Sequence, residues 1–169
     1  MLRNLLRSTI YVRLKPERLS VLHVESGREV SDVPALAIER KNGKAAVVAM
    51  GHEASVKAGQ PDITVTNGFK HPRMVIADFT VAQETLKHFL KKVIAGSIFI
   101  PSPVIVMHPL VTLEGGLSQL EIRALAELSM GAGGHKVYVW TGPELSKDEL
   151  GELRFSRAGG RLLYPEIGG

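Results

Sequence analysis

Cysteine is absent from this sequence of 169 residues. That excludes thiol nucleophiles, disulfide frameworks and cysteine-ligated zinc or iron–sulfur sites, and it fits a reducing compartment. Aromatic residues are sparse, with one Trp, three Tyr and five Phe, so few rings are available to stack on bases. The 21 Lys and Arg are scattered among 17 Asp and Glu, and the surplus of +4 is a weak pull toward acidic partners. Nucleic acid is therefore disfavoured as a partner. No apolar run approaches the ~20 residues that span a bilayer, and the start has neither the apolar region nor the cleavage site of a secretory signal. A cytoplasmic address is the expectation. There is no Gly-x-x-x-x-Gly-Lys-Ser/Thr phosphate loop, no Gly-x-Gly-x-x-Gly after a strand, no His-Glu-x-x-His and no Gly-x-Ser-x-Gly elbow. Histidines occur at 23, 52, 71, 88, 108 and 135 without a pair at helical spacing, so they read as surface or loop residues and no metal is expected.

What is present suffices for a core. Hydrophobic residues make up 44%, and at this length a folded chain buries roughly 70% of the surface it exposes unfolded. Met1, Leu2, Leu5 and Leu6 against Arg3, Asn4 and Arg7 form a short basic amphipathic start over residues 1–8. A bilayer can supply the apolar face and the counter-charge that seven residues lack alone, so Met1, Leu2, Arg3, Leu5, Leu6 and Arg7 are candidate membrane contacts. Ile10–Leu14 and Leu19–Val24 read as strands joined by Lys15-Pro16-Glu17-Arg18, and Ala35–Arg40 and Ala45–Met50 flank the hairpin signal Asn42-Gly43. A four-strand meander is expected over the first fifty residues. Residues 51–73 are polar and rich in Gly and Pro, with a short helix near Glu53–Lys57 and a strand at Ile63–Thr66, and suit a small inserted subdomain.

The second half alternates helix and strand. Thr80-Val81-Ala82-Gln83 offers a capping box, followed by the stripe Leu86, Phe89, Leu90, Val93 and Ile94, with Lys87, His88, Lys91 and Lys92 opposite and Gly96 as a stop. Val104–Met107, between prolines, suits a buried parallel strand. Ser118-Gln119-Leu120-Glu121 is a second box with Leu117 and Ile122 as its staple, ended by Gly131–Gly134, which terminates a helix and opens none, so it is no phosphate cradle. Lys136–Trp140 is the next strand. Ser146-Lys147-Asp148-Glu149, stapled by Leu145 and Leu150, opens a short helix that Gly151 weakens. A mixed sheet with helices packed on it follows.

Ordered fragments of the chain resemble a known family. Val47-Val48-Ala49-Met50-Gly51-His52-Glu53-Ala54, Val75-Ile76-Ala77-Asp78-Phe79, Leu120-Glu121-Ile122-Arg123-Ala124 and Val137-Tyr138-Val139 are similar in order and spacing to pieces of the first half of the MreB-type bacterial actins, the rod-shape-determining proteins. The resemblance implies an α/β, actin-like (RNase H-like) domain I over residues 9–153: a five-stranded mixed sheet with flanking helices, a small insertion at 51–73 and a tail at 154–169. It also implies a cytoplasmic protein of the cytoskeleton under the membrane. The amphipathic start is similar to the membrane-binding terminus of some members.

Such proteins bind ATP between two domains, and the resemblance places the first phosphate hairpin, Asp-Leu-Gly-Thr in the family, at Arg13-Leu14-Lys15-Pro16. Arg13 stands where a metal-organising Asp is needed, Lys15 replaces the Gly, and Pro16 has no N–H to offer phosphate. Glu17 adds negative charge. Lys15 and Arg18 attract anions but replace neither the carboxylate nor the backbone cradle. Glu166-Ile167-Gly168-Gly169 is similar to the start of the family's second phosphate loop. Glu121 falls where the family keeps a glutamate that positions the hydrolytic water, and it is equally the third residue of the Ser118 capping box, a role that accounts for it without catalysis.

The combined expectation is a non-catalytic actin-like half-domain without cofactor, acting by binding a second copy of itself, a full-length MreB-type filament or the inner membrane surface. Two alternatives stand beside it. One is a truncated ATP-binding filament protein, against which Arg13 and Pro16 count. The other is an anion or nucleic-acid binder using Lys15, Arg18, Lys87, Lys91 and Lys92, which competes with a solvated helix face and a turn.

Overall fold

The computed structural model describes residues 7–97 and 101–166. The candidate membrane contacts Met1, Leu2, Arg3, Leu5 and Leu6 lie outside the described residues. Six strands make the larger sheet: β1 (Thr9–Lys15), β2 (Arg18–His23), β3 (Arg28–Asp32), β7 (Val104–Pro109), β8 (Lys136–Thr141) and β9 (Arg161–Tyr164), in the order β3-β2-β1-β7-β8-β9. β1, β7 and β8 run parallel and the other neighbours antiparallel, so the sheet is mixed. Its sixth strand, β9, comes from the segment expected to be a tail.

Alternation along the strands builds two faces. Ile10, Val12, Leu14, Leu19, Val21, Ile105, Met107, Val137 and Val139 point one way, onto α2 (Phe79–Val93) and α3 (Gln119–Gly131). The expected stripe of α2 fills this core: Leu86, Phe89, Leu90 and Val93 are buried. Tyr11, Val106 and Trp140 point the other way, toward Leu145 and Leu150 around the short helix α4 (Lys147–Glu152). β7 is buried over its whole length, as its apolar run between prolines requires.

The first fifty residues depart from the expected four-strand meander. β1 and β2 pair through the two-residue turn Pro16-Glu17, with Lys15 opposite Arg18, but β2 continues into β3, a polar edge strand whose Arg, Glu, Ser and Asp carry no strand signal. β4 (Leu36–Lys41) and β5 (Lys44–Met50) join around Asn42-Gly43 as expected, then leave the main sheet and pair with β6 (Ile63–Thr66) in a separate one of order β5-β4-β6. The helix α1 (His52–Val56) packs on it through Ala54, against Ala35 and Ala37. This second sheet spans residues 36–66, beginning upstream of the expected insertion.

The helix starts follow local chemistry. Ser118 and Ser146 each close a capping box, with Glu121 and Glu149. α2 corrects the expectation: its N-cap is Asp78, whose carboxylate accepts from the Val81 N–H at 3.0 Å, and Thr80 lies inside the first turn. Asp is a strong cap, and it satisfies an orphan donor two residues earlier than Thr80 would. Gly68 lets the preceding loop lie on this turn, because a Cβ there would stand 2.4 Å from the Ala82 nitrogen.

Candidate functional site

The turn between β1 and β2 lies where the parallel strands end, the usual ligand side of an open α/β sheet. Lys15, Glu17 and Arg18 are exposed and Pro16 is half-buried. The turn is tied from outside the hairpin. Asn67 Nδ2 donates to the Pro16 carbonyl at 2.7 Å while Asn67 Oδ1 accepts from the Phe69 N–H at 2.9 Å. The Leu110 N–H donates to the Leu14 carbonyl at 2.8 Å. Arg18 Nη1 donates to Ser31 Oγ at 3.2 Å, and Ser31 Oγ also meets Ser20 Oγ at 2.7 Å.

Arg13 precedes the turn on the face opposite Leu14. Its guanidinium bridges two carboxylates, Glu29 on β3 and Glu144 after β8, the latter at 3.0 Å. Burial on its own weakens the charge of Arg13, but the two carboxylates outweigh it and hold the group above its ordinary value. The guanidinium also stands 5.8 Å from the centre of the Tyr11 ring.

Behind this ion pair is a buried polar chain. His108 is 1% exposed, and its Nε2 lies 3.0 Å from the Gly142 carbonyl, which only an N–H can satisfy. Nδ1 is then the acceptor, and Tyr11 O–H donates to it at 2.6 Å. The Tyr11 oxygen in turn accepts from the Leu145 N–H at 3.3 Å. Burial holds His108 below its ordinary value, against the opposing Gly142 carbonyl, and raises Tyr11, so both are neutral near pH 7. Tyr11, His108, Glu29 and Glu144 escape a search for ligand spacing. Tyr11 carries a sequence signal as a polar-tipped residue that, with Arg13, alternates with Ile10, Val12 and Leu14, whereas Glu29 and Glu144 lie outside any apolar strand.

Glu121 is occupied. Its Oε2 accepts from the Ser118 N–H and hydroxyl, both at 2.9 Å, and its Oε1 from the Val75 N–H at 3.2 Å. Burial alone pushes this carboxyl up; the three donors outweigh it and hold the group below the usual carboxylate range. It fastens α3 to the loop before α2, and both of its oxygens are committed to that role. Arg7 is half-buried and donates to the Gly151 carbonyl of α4. Lys87 is half-buried, and Lys91 and Lys92 are exposed on α2. Among the described residues no group of three or more His, Asp or Glu is placed to hold a metal, and no helix is long and apolar enough to cross a membrane.

The family described as MreB/Mbl protein matches residues 16–146. This chain belongs to the MreB/Mbl family. It is 33% identical over 137 residues to the cell shape-determining protein MreB of Escherichia coli (strain K12), covering 81% of this chain and 38% of that protein. It is 27% identical over 150 residues to the cell shape-determining protein Mbl of Bacillus subtilis (strain 168), covering 88% and 42%. The chain thus spans about two-fifths of the length of the curated relatives it matches. Among solved structures, MreB5 of Spiroplasma citri bound to AMPPNP superposes with a TM-score of 0.60 at 20% identity, over 79% of this chain and 38% of that one. The fold is the actin-like one that the sequence fragments implied.

A magnesium-bound triphosphate does not fit the residues at the turn. Arg13, which the resemblance sets at the family's metal-organising position, is a guanidinium already holding two carboxylates of its own. Pro16 has no N–H to offer a phosphate, and its carbonyl is engaged by Asn67.

Proposed function

We propose that this chain is a cell-shape-linked member of its family that works by binding and not by nucleotide hydrolysis. The observation that carries this is the bridge from Arg13 to Glu29 and Glu144. A cation built into the chain takes the place where a family enzyme needs an anionic metal organiser, while caps, staples and core stripes are intact. Residues that specify the fold and residues that would perform the chemistry have parted company.

Two partners suit the surface. Self-association, as a pair of copies or on a longer family filament, draws on the relatives being cell shape-determining proteins. Peripheral contact with the cytoplasmic membrane surface draws on the amphipathic start, Met1 to Arg7, of which Arg7 also donates to the Gly151 carbonyl. Lys15 and Arg18 remain available to anions at the turn. Isothermal titration of the purified chain with Mg·ATP is the direct test. No heat above dilution is expected at micromolar nucleotide, and a micromolar Kd would overturn the proposal.

A second reading is supported by the chain's spanning about two-fifths of its relatives. An ATP-binding filament protein of which this chain is one part would bind Mg·ATP once the remaining length is supplied. Arg13 and Pro16 stand in the first phosphate hairpin and count against it whatever follows.

A further inference from the structure

The larger sheet ends on guarded edges and the smaller one does not. β3 carries Arg28, Glu29, Ser31 and Asp32, and β9 is a four-residue strand that opens on the exposed Arg161 and is followed by Pro165. In the sheet of order β5-β4-β6, the edge strand β6 also has only four residues, but β5 runs for seven, Lys44–Met50, with no charge after Lys44 and no proline. Ala45, Ala46 and Val48 are exposed on it. Charge, proline and shortness are the usual means of keeping an edge strand from pairing with another chain, and β5 beyond Lys44 has none of them.

The backbone of β5 is open as well. Lys41 and Lys44 close the two-residue turn Asn42-Gly43, and the pair that closes such a turn is hydrogen-bonded, so alternation directs the N–H and C=O groups of Ala45 and Val47 away from β4. Among the described residues no strand or loop gives these groups a partner. The open stretch ends at Val48, which is left unmatched where Ile38 faces Val47 and Ala37 faces Ala49.

We infer that β5 is a self-association edge and that its occupant is β5 of a second copy, antiparallel about a two-fold axis at Ala46. Only another extended strand supplies the missing hydrogen bonds, and β5 suits itself in charge and in register. Ala45 then lies opposite the partner's Val47 and Val47 opposite the partner's Ala45, so the outward groups of both copies are satisfied together. Ala46 meets the partner's Ala46, two methyl groups without charge. The two Lys44 side chains fall at opposite ends, four residues or ~13 Å apart along the ladder, so the one charge of the strand does not face itself. Pairing extends a small sheet whose own core is mostly alanine, with Ala35, Ala37 and Ala54 its buried members, into six continuous strands. This surface rests on the self-association proposed above and gives it a place and a symmetry.

The axis residue provides the test. The full chain and its Ala46→Glu and Ala46→Lys variants are followed over rising concentration by sedimentation velocity. The unaltered chain is expected to pass from monomer to dimer. Each variant sets two like charges directly opposite each other and should dimerise several-fold more weakly, while an equimolar mixture, with Glu facing Lys, should recover the dimer as a one-to-one heterodimer. Ala46 is exposed, so the monomer tolerates either side chain, and recovery on mixing shows that both variants are folded. Variants that dimerise as strongly as the unaltered chain overturn the β5 edge and leave self-association through another surface. A mixture no more dimeric than its components overturns the two-fold pairing at Ala46. An unaltered chain that stays monomeric at every concentration overturns both this edge and the self-association it rests on.

Discussion

The two faces of the larger sheet are made by alternate residues of the same strands, yet they differ in kind. Toward α2 and α3 the side chains are aliphatic, and Ile10, Val12, Leu14, Leu19 and Val21 have no measurable exposure. Toward α4 the same strands present Tyr11, Arg13 and His108, held by directional bonds to Gly142, Glu29, Glu144 and Leu145. Apolar contact tolerates substitution by volume and is specified by pattern, whereas a buried polar chain works only if every member is present. One face fixes that the chain folds. The other fixes how Arg13, Tyr11 and His108 are held.

The contrast can be broken first on the apolar side. Phe89→Ala should cost about 3–5 kcal/mol, as expected for a fully buried ring, read from the urea midpoint. On the polar side Tyr11→Phe removes one oxygen but strands two partners, the Leu145 N–H and His108 Nδ1. A loss of about 1–3 kcal/mol is expected by the same measurement. A neutral result would mean that water replaces the hydroxyl and that the polar face is looser than its bonds suggest.

The smallest effect sharpens the comparison through pH. Burial depresses His108 in the folded chain below its ordinary value of 6.5, so the unfolded chain takes up the proton first. This contribution to stability is fully present above about pH 6.5 and declines as pH falls toward the folded value. A proton on Nδ1 would face the Tyr11 hydroxyl, with Glu144 the nearest compensating charge and Arg13 an opposing one. His88, also lowered by burial, adds to the same slope. His108→Asn should therefore flatten, but not abolish, the fall in urea midpoint between pH 7 and 5.5. An unchanged slope would remove His108 from the account.

The parts of the fold legible in sequence are those with local causes. The Ser118 and Ser146 boxes, the Asn42-Gly43 turn, the α2 stripe and the run of β7 each follow from a few neighbouring residues, and each is found where its residues place it. β3 was not legible, because an edge strand of Arg, Glu, Val, Ser and Asp is stabilised by its pairing and not by propensity. The candidate site was half legible. Arg13, Lys15, Pro16, Glu17 and Arg18 could be picked out by their place in the hairpin, but nothing along the chain links residue 13 to 29 and 144, or 11 to 108.

The order of residues by itself determined the locally capped and patterned elements, the family and the absence of an N–H at Pro16, since these depend on covalent structure and on contacts within a few residues. Only the tertiary structure decided that Arg13 is neutralised from a distant strand and a distant loop, that Glu121 is spent on Ser118 and Val75, and that residues 161–164 return to β8. Those outcomes join segments far apart in the chain, and such contacts are selected by the packing of the whole sheet and not by any local preference.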